Sequence, residues 1–144
     1  MSYLFPSAER LKSTRAIAAL FAPGGASVAA YPVRAVYRTV AAEPGEPAVR
    51  VAFVVPKKKF RRAADRNLLK RRLREAYRLQ RKFLAGTQVQ YAAGGKCCHL
   101  LLMFTAREAL PYAPIARGVR KALQRIDREL APGGGSRLDG PPDA

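Results

Sequence analysis

Hydrophobic and polar positions along this chain switch between a helical and a strand period, and the switches mark its elements. After Ser13, a residue type that favours helix N-caps, Ile17, Leu20 and Phe21 share one helical face. The pattern predicts a helix over Thr14–Ala22, ended by Pro23-Gly24-Gly25. Tyr31–Val40 then runs at period two. Val33, Ala35, Tyr37 and Thr39 fall on one side of the predicted strand, and Arg34, Val36, Arg38 and Val40 on the other. Turn-forming residues over Ala41–Ala48 suit a hairpin connection. The next run, Val49–Val55, is so continuously apolar that it reads as a central strand, and Pro56 stops it.

A long helical pattern follows. With Leu69 at the origin of a wheel of about 100° per residue, Leu73, Ala76, Tyr77, Gln80, Phe83 and Leu84 lie within roughly 80° of it. Asn67, Lys70, Arg71, Arg74, Arg78, Arg81 and Lys82 fill the opposite arc. Ala85–Lys96 reads as a loop and Cys97–Thr105 as a third, buried strand. Pro111 and Pro114 open a last helix that runs to about Leu130, with Ile115, Val119, Ala122, Leu123, Ile126 and Leu130 as its core stripe. The order is α-β-β-α-β-α, which predicts an α+β fold with helices packed on one small central sheet. Residues 1–131 form one expected domain, and the Gly/Pro-rich segment 132–144 is expected to be disordered.

Charge changes this picture. Of the 27 Lys and Arg residues, 13 fall between Lys57 and Lys82, against two acids, Asp65 and Glu75; this stretch holds +11 of the formal +17. A solvated helix face usually interleaves both signs, and this one does not. Arg outnumbers Lys in the run, and planar guanidinium groups suit bidentate phosphate contacts and stacking on bases. A basic ridge about 30 Å long with an apolar back therefore points to a nucleic-acid partner.

The remaining chemistry is sparse. The two cysteines, Cys97 and Cys98, are adjacent and precede the single histidine, His99, a cluster without the second ligand pair that a zinc site needs. Buried thiols in a strand are the better reading. The ten acids form no metal-binding carboxylate group beside the ridge, so a protein-based phosphodiesterase lacks its parts. No run of about 18 apolar residues is present and the N-terminus lacks the pattern of a signal peptide, so no membrane association and a reducing cytoplasm are expected.

At Arg66-Asn67 the pattern becomes specific. Lys58-Lys59, Ala63, Arg66-Asn67, Lys70-Arg71 and Arg74-Glu75 closely resemble the signature of the bacterial ribonuclease P protein component family, approximately KKxxxAxxRNxxKRxxRE. Leu11-Lys12, Ile17, Leu20-Phe21 and a glycine at 24 or 25 resemble its upstream part, and the order of elements matches over Leu11–Leu130. Leu68 stands where many members carry a second Arg, with Arg72 as a candidate replacement; Ile17 stands where an aromatic is frequent.

The resemblance implies a protein subunit that binds a catalytic RNA and the 5′ leader of precursor tRNA, assisting endonucleolytic removal of the leader. Catalysis would reside in the RNA, with Mg²⁺ held there and none bound by the protein alone. Lys58, Lys59, Arg62, Arg66, Asn67, Lys70, Arg71 and Arg74 would contact the catalytic RNA, and Ile17, Phe21 and Tyr37 would line the leader cleft. A monomer in a 1:1 complex with the RNA is implied, as is an unusual left-handed β-α-β crossover. Charge alone leaves room for a ribosome-associated or DNA-binding basic protein without a processing role, or a free-standing nuclease.

Overall fold

The computed structural model describes residues 7–131; the Gly/Pro-rich segment 132–144 lies outside the described residues. Four strands, β1 (Ala26–Ala30), β2 (Val33–Ala41), β3 (Val49–Val54) and β4 (Lys96–Phe104), form one sheet in the order β1-β2-β4-β3. β1 and β4 both run antiparallel to β2, whereas β3 and β4 are parallel. Helices α1 (Thr14–Ala19), α2 (Ala63–Gln80), α3 (Ala85–Gly94) and α4 (Tyr112–Leu130) complete the α+β architecture. No helix among the described residues is long and apolar enough to cross a membrane.

The alternation in β2 sorts its side chains as the sequence predicts. Val33, Ala35 and Tyr37 join Leu100, Leu102 and Phe104 in the main core, closed by Leu69, Leu73, Ala76 and Tyr77 of α2 and by Ile115, Val119, Leu123 and Ile126 of α4. Burial of this face is the dominant favourable term in holding the layers together, at about 25 cal/mol per Å² of apolar surface. Val36 and Leu101 point the other way, into a smaller cluster with Leu11, Leu20 and the half-buried Ile17. The sheet thus carries two long helices on one face and only the short α1 on the other.

Four sequence expectations are corrected. The predicted strand Tyr31–Val40 is the second arm of a hairpin, since Ala26–Ala30 is itself a strand that pairs with Val33–Tyr37; its Ala-rich sequence carries almost no period-two signal. The Ala41–Ala48 connection is not a hairpin turn, because β4 lies between β2 and β3. β3 is consequently an edge strand and not a central one. It is apolar because both its faces are covered, and Arg10 bridges to Val51 on its open side, with Leu11 N–H donating to the Val51 carbonyl at 2.9 Å.

Ala85–Lys96 is mostly the helix α3, not a loop. Its first turn is held by Asp127 of α4, which accepts from the Thr87 N–H (2.8 Å) and hydroxyl (2.7 Å). Gly95 ends it in the left-handed conformation at φ 69°, where glycine avoids the Cβ clash.

Candidate nucleic-acid interface

Ser13 caps α1 as its sequence suggests, accepting from Ala16 N–H at 3.1 Å, but the helix ends at Ala19 and not at Ala22. The reason lies on β2. The Arg38 guanidinium donates to the carbonyls of Ala19 (3.1 Å), Ala22 (2.9 Å) and Pro23 (2.7 Å), satisfying acceptors that a helix end leaves orphaned. This clamp fixes α1 on the sheet and leaves Phe21 57% exposed at its end.

Grooves open on both flanks of α1. Phe21 lines one of about 440 Å³ with Leu20, Arg34, Val36 and Met103. Ile17 lines another of about 400 Å³ with Arg10, Lys12, Val54, Lys70 and Arg74. A third, of about 550 Å³, is bordered by Arg10, Lys12, Arg50 and His99. Tyr37 does not belong to this face. Its ring is 5% exposed in the main core, and its edge reaches a groove of about 250 Å³ lined also by Gly24, Ala26, Arg38, Thr39 and Leu130. The same strand alternation that places Val36 and Arg38 towards α1 sends Tyr37 away, so the structure separates it from Phe21 and Ile17.

On α2 the polar arc of the wheel is neither uniform nor uniformly charged. Arg66 Nη1 donates to the Phe60 and Arg61 carbonyls, both at 2.8 Å, and so ties down the turn that leads into the helix. Lys59 Nζ donates to the Thr105 carbonyl at 3.0 Å, and Phe60 packs on Phe104 with ring centroids 5.7 Å apart. Lys58, Arg62, Asn67 and Arg71 are exposed, whereas Lys70 and Arg74 are half-buried where α2 borders the Ile17 groove.

Farther along, the charges are paired: Arg78 with Glu75, and Arg81 with Glu9. Arg72 donates to the Leu110 carbonyl ahead of α4, so it is turned from the ridge and does not take the place of the missing second Arg at Leu68.

Along this stretch, the cations with no ion pair among the described residues therefore cluster on the N-terminal half of α2 and the turn before it. Arg74 lies within this cluster. Burial, then the neighbouring Arg10 and Arg71, push its pKa below the usual guanidinium value. A cation destabilised by other cations is a place where an anion binds favourably. Arg10 joins this field from the N-terminal segment, a contribution that helical periodicity could not reveal. Arg34, Arg50 and His99 also face the α1 grooves; His99 is held below its ordinary pKa by burial and by Arg50.

The cysteines play no part in this surface. Burial pushes the Cys97 thiol up to about 11 and the Cys98 thiol up to about 12, so both are protonated at neutral pH. Among the described residues no group of three or more His, Cys, Asp or Glu side chains is arranged to hold a metal ion.

Residues 5–127 match the family model for Ribonuclease P. The chain is similar to the Ribonuclease P protein component of Chlorobaculum tepidum, with 32% identity over 127 residues, covering 87% of this chain and 81% of the relative. The corresponding Porphyromonas gingivalis protein is 35% identical over 121 residues, 82% of each chain. In fold the chain resembles the RNase P protein from Thermotoga maritima, with a TM-score of 0.60 at 22% identity over 82% of this chain and 97% of that one. The Staphylococcus aureus RNase P protein gives 0.59 at 17% identity, over 82% and 94%.

Proposed function

The chain belongs to the Ribonuclease P protein family, and from that premise we propose that it docks a catalytic RNA on the N-terminal half of α2 and guides the 5′ leader of precursor tRNA along α1. Lys58, Arg62, Asn67, Lys70, Arg71 and Arg74 supply the docking contacts, and Arg10 adds to their field. Lys59 and Arg66 contribute through N–H groups not already given to backbone carbonyls, since a guanidinium has five and an ammonium three. The single observation that carries this reading is the convergence of Arg10, Lys12, Lys70 and Arg74 on one groove that also holds Ile17.

The leader would pass through the α1 grooves, its phosphates near Lys70, Arg74, Arg10 and Arg34. The exposed Phe21 offers a stacking surface that tolerates any base. Tyr37 is left out, being on the other face. Phosphodiester hydrolysis is assigned to the RNA, with Mg²⁺ held there. The protein's own work is to neutralise phosphates and hold the substrate in register. One protein per RNA is the stoichiometry that a single ridge suits. A ribosomal or DNA-binding role would rest on the charge alone, without the family relationship.

Reconstitution tests this reading. Added to catalytic RNA and precursor tRNA at low Mg²⁺, the protein should raise the rate of leader removal, and it should bind precursor more tightly than mature tRNA. Phe21→Ala should narrow that preference by about fivefold or more, the scale of one base stack removed. No gain in processing would contradict the assignment. An unchanged preference in Phe21→Ala would remove Phe21 from the cleft.

A further inference from the structure

A second cationic surface lies on α4 at the β1 edge of the sheet. Arg117, Arg120, Lys121, Gln124, Arg125 and Arg128 follow one another at helical spacing and are all exposed on the outer face of α4. Of the two acids on the helix, Asp127 is turned to Thr87 and Glu129 is exposed one position beyond Arg128; none of the ion pairs Arg50–Glu46, Arg78–Glu75 and Arg81–Glu9 involves the stripe. Lys121, Gln124, Arg125 and Arg128 border a groove of about 460 Å³ whose opposite wall is Ala29 to Tyr31. Arg125 donates to the Ala29 carbonyl at 3.2 Å, which anchors the stripe to β1. Tyr31 is 71% exposed at the rim.

α4 packs on β1 and β2 and directly against α2, which lies over β3 and β4. β1 and β3 are opposite edges, about 14 Å apart at the usual strand spacing. One rigid RNA helix lying on α2 does not automatically cover this groove. An acidic peptide would need the cations alone. Cations beside an unburied aromatic ring, with an amide at Gln124, are the combination that single-stranded nucleic acid uses: phosphates on the charges and a base on the ring.

We propose that the α4 stripe and Tyr31 form a third RNA-contacting site, which takes an unpaired segment with its phosphates on Lys121 and Arg128 and a base against Tyr31. The site is separate from the ridge on α2 and the grooves beside α1.

The test uses the full chain and a labelled oligouridylate of about ten nucleotides, within the footprint typical of single-strand binders. Binding is followed as a function of salt. Lys121→Ala with Arg128→Ala, which spares the Arg125 anchor, should make the log–log salt slope shallower by about 1.4, at about 0.7 for each phosphate no longer neutralised. Tyr31→Leu should weaken binding at least about fivefold and Tyr31→Phe by less than about twofold.

The same losses should persist in a Lys70→Ala, Arg71→Ala background, which marks the two surfaces as independent. Wild-type binding by the α4 variants, or losses that vanish in that background, would overturn the proposal. So would equal displacement of the RNA by polyglutamate with Tyr31→Leu silent, which would assign the groove to an acidic protein partner. None of these readouts depends on leader removal, so failure here and failure of the processing role are distinguishable.

Discussion

Arg66 donates to two backbone carbonyls, whereas Asn67 beside it is exposed, so the two halves of the Arg-Asn pair are separable by experiment. Arg66→Ala should destabilise the free protein by about 1–2 kcal/mol, because the turn before α2 loses two charge-assisted bonds at a partly exposed site. Asn67→Ala should leave denaturant stability within about 0.5 kcal/mol of wild type. It should still weaken binding to the catalytic RNA by about 1–3 kcal/mol. Paired unfolding curves and RNA titrations check both; equal stability losses would contradict the division of labour. The sequence made these residues conspicuous by spacing, but not their partners. That Lys59 and Arg66 bond backbone carbonyls depends on the path of the preceding turn, which no periodicity encodes. Tyr37 shows the opposite case: the alternation of β2 already put it on the face of Val33 and Ala35, and that physical reading outweighs the resemblance that carried it to the cleft.

At the scale of elements, the long amphipathic segments were legible and the short ones were not. The helix that becomes α4 ends at Leu130, and the apolar stripe found from spacing is buried from Ile115 to Ile126, with Leu130 partly buried at its end. The strand β1, by contrast, is ASVAA, and α3 is AGTQVQYAAG; neither carries a strong period. Both are held by tertiary contacts: β1 by its register with β2 and the close approach of α4, α3 by Asp127 and by the Tyr91 hydroxyl at 2.7 Å from Thr39. Sheet order was equally out of reach, since an apolar edge strand and an apolar central strand read alike. The α4–β1 contact offers a direct check. A Cβ at Gly118 would lie 2.7 Å from the Ala30 carbonyl oxygen and 3.0 Å from Pro32 Cδ. Gly118→Ala should therefore destabilise by about 1–3 kcal/mol despite its better helix propensity, as overpacking does. A stabilised variant in thermal or denaturant unfolding would show that α4 can shift away at no cost.

Across the whole molecule, charge is sorted in a way that counting cannot show. The formal +17 places a nucleic-acid partner within reach of the sequence alone. The structure then divides the basic helix. Towards its C-terminal end Arg78 is paired with Glu75, and Arg81 in the turn that follows is paired with Glu9, whereas its N-terminal half is reinforced by Arg10 and joined to the α1 grooves through Lys70 and Arg74. Glu9 and Arg10 lie more than fifty residues from α2 in sequence, so only the fold brings the quenching and the reinforcing charge to their places. The most direct measurement of this account is the salt dependence of affinity for the catalytic RNA in two double variants with the same reduction in formal charge. Lys70→Ala with Arg71→Ala should reduce the slope of log affinity against log salt by about 2, one for each phosphate left without its cation, while Arg78→Ala with Arg81→Ala leaves it near wild type. Equal reductions in the two variants, or a larger one in the second, would contradict docking through the N-terminal half of α2.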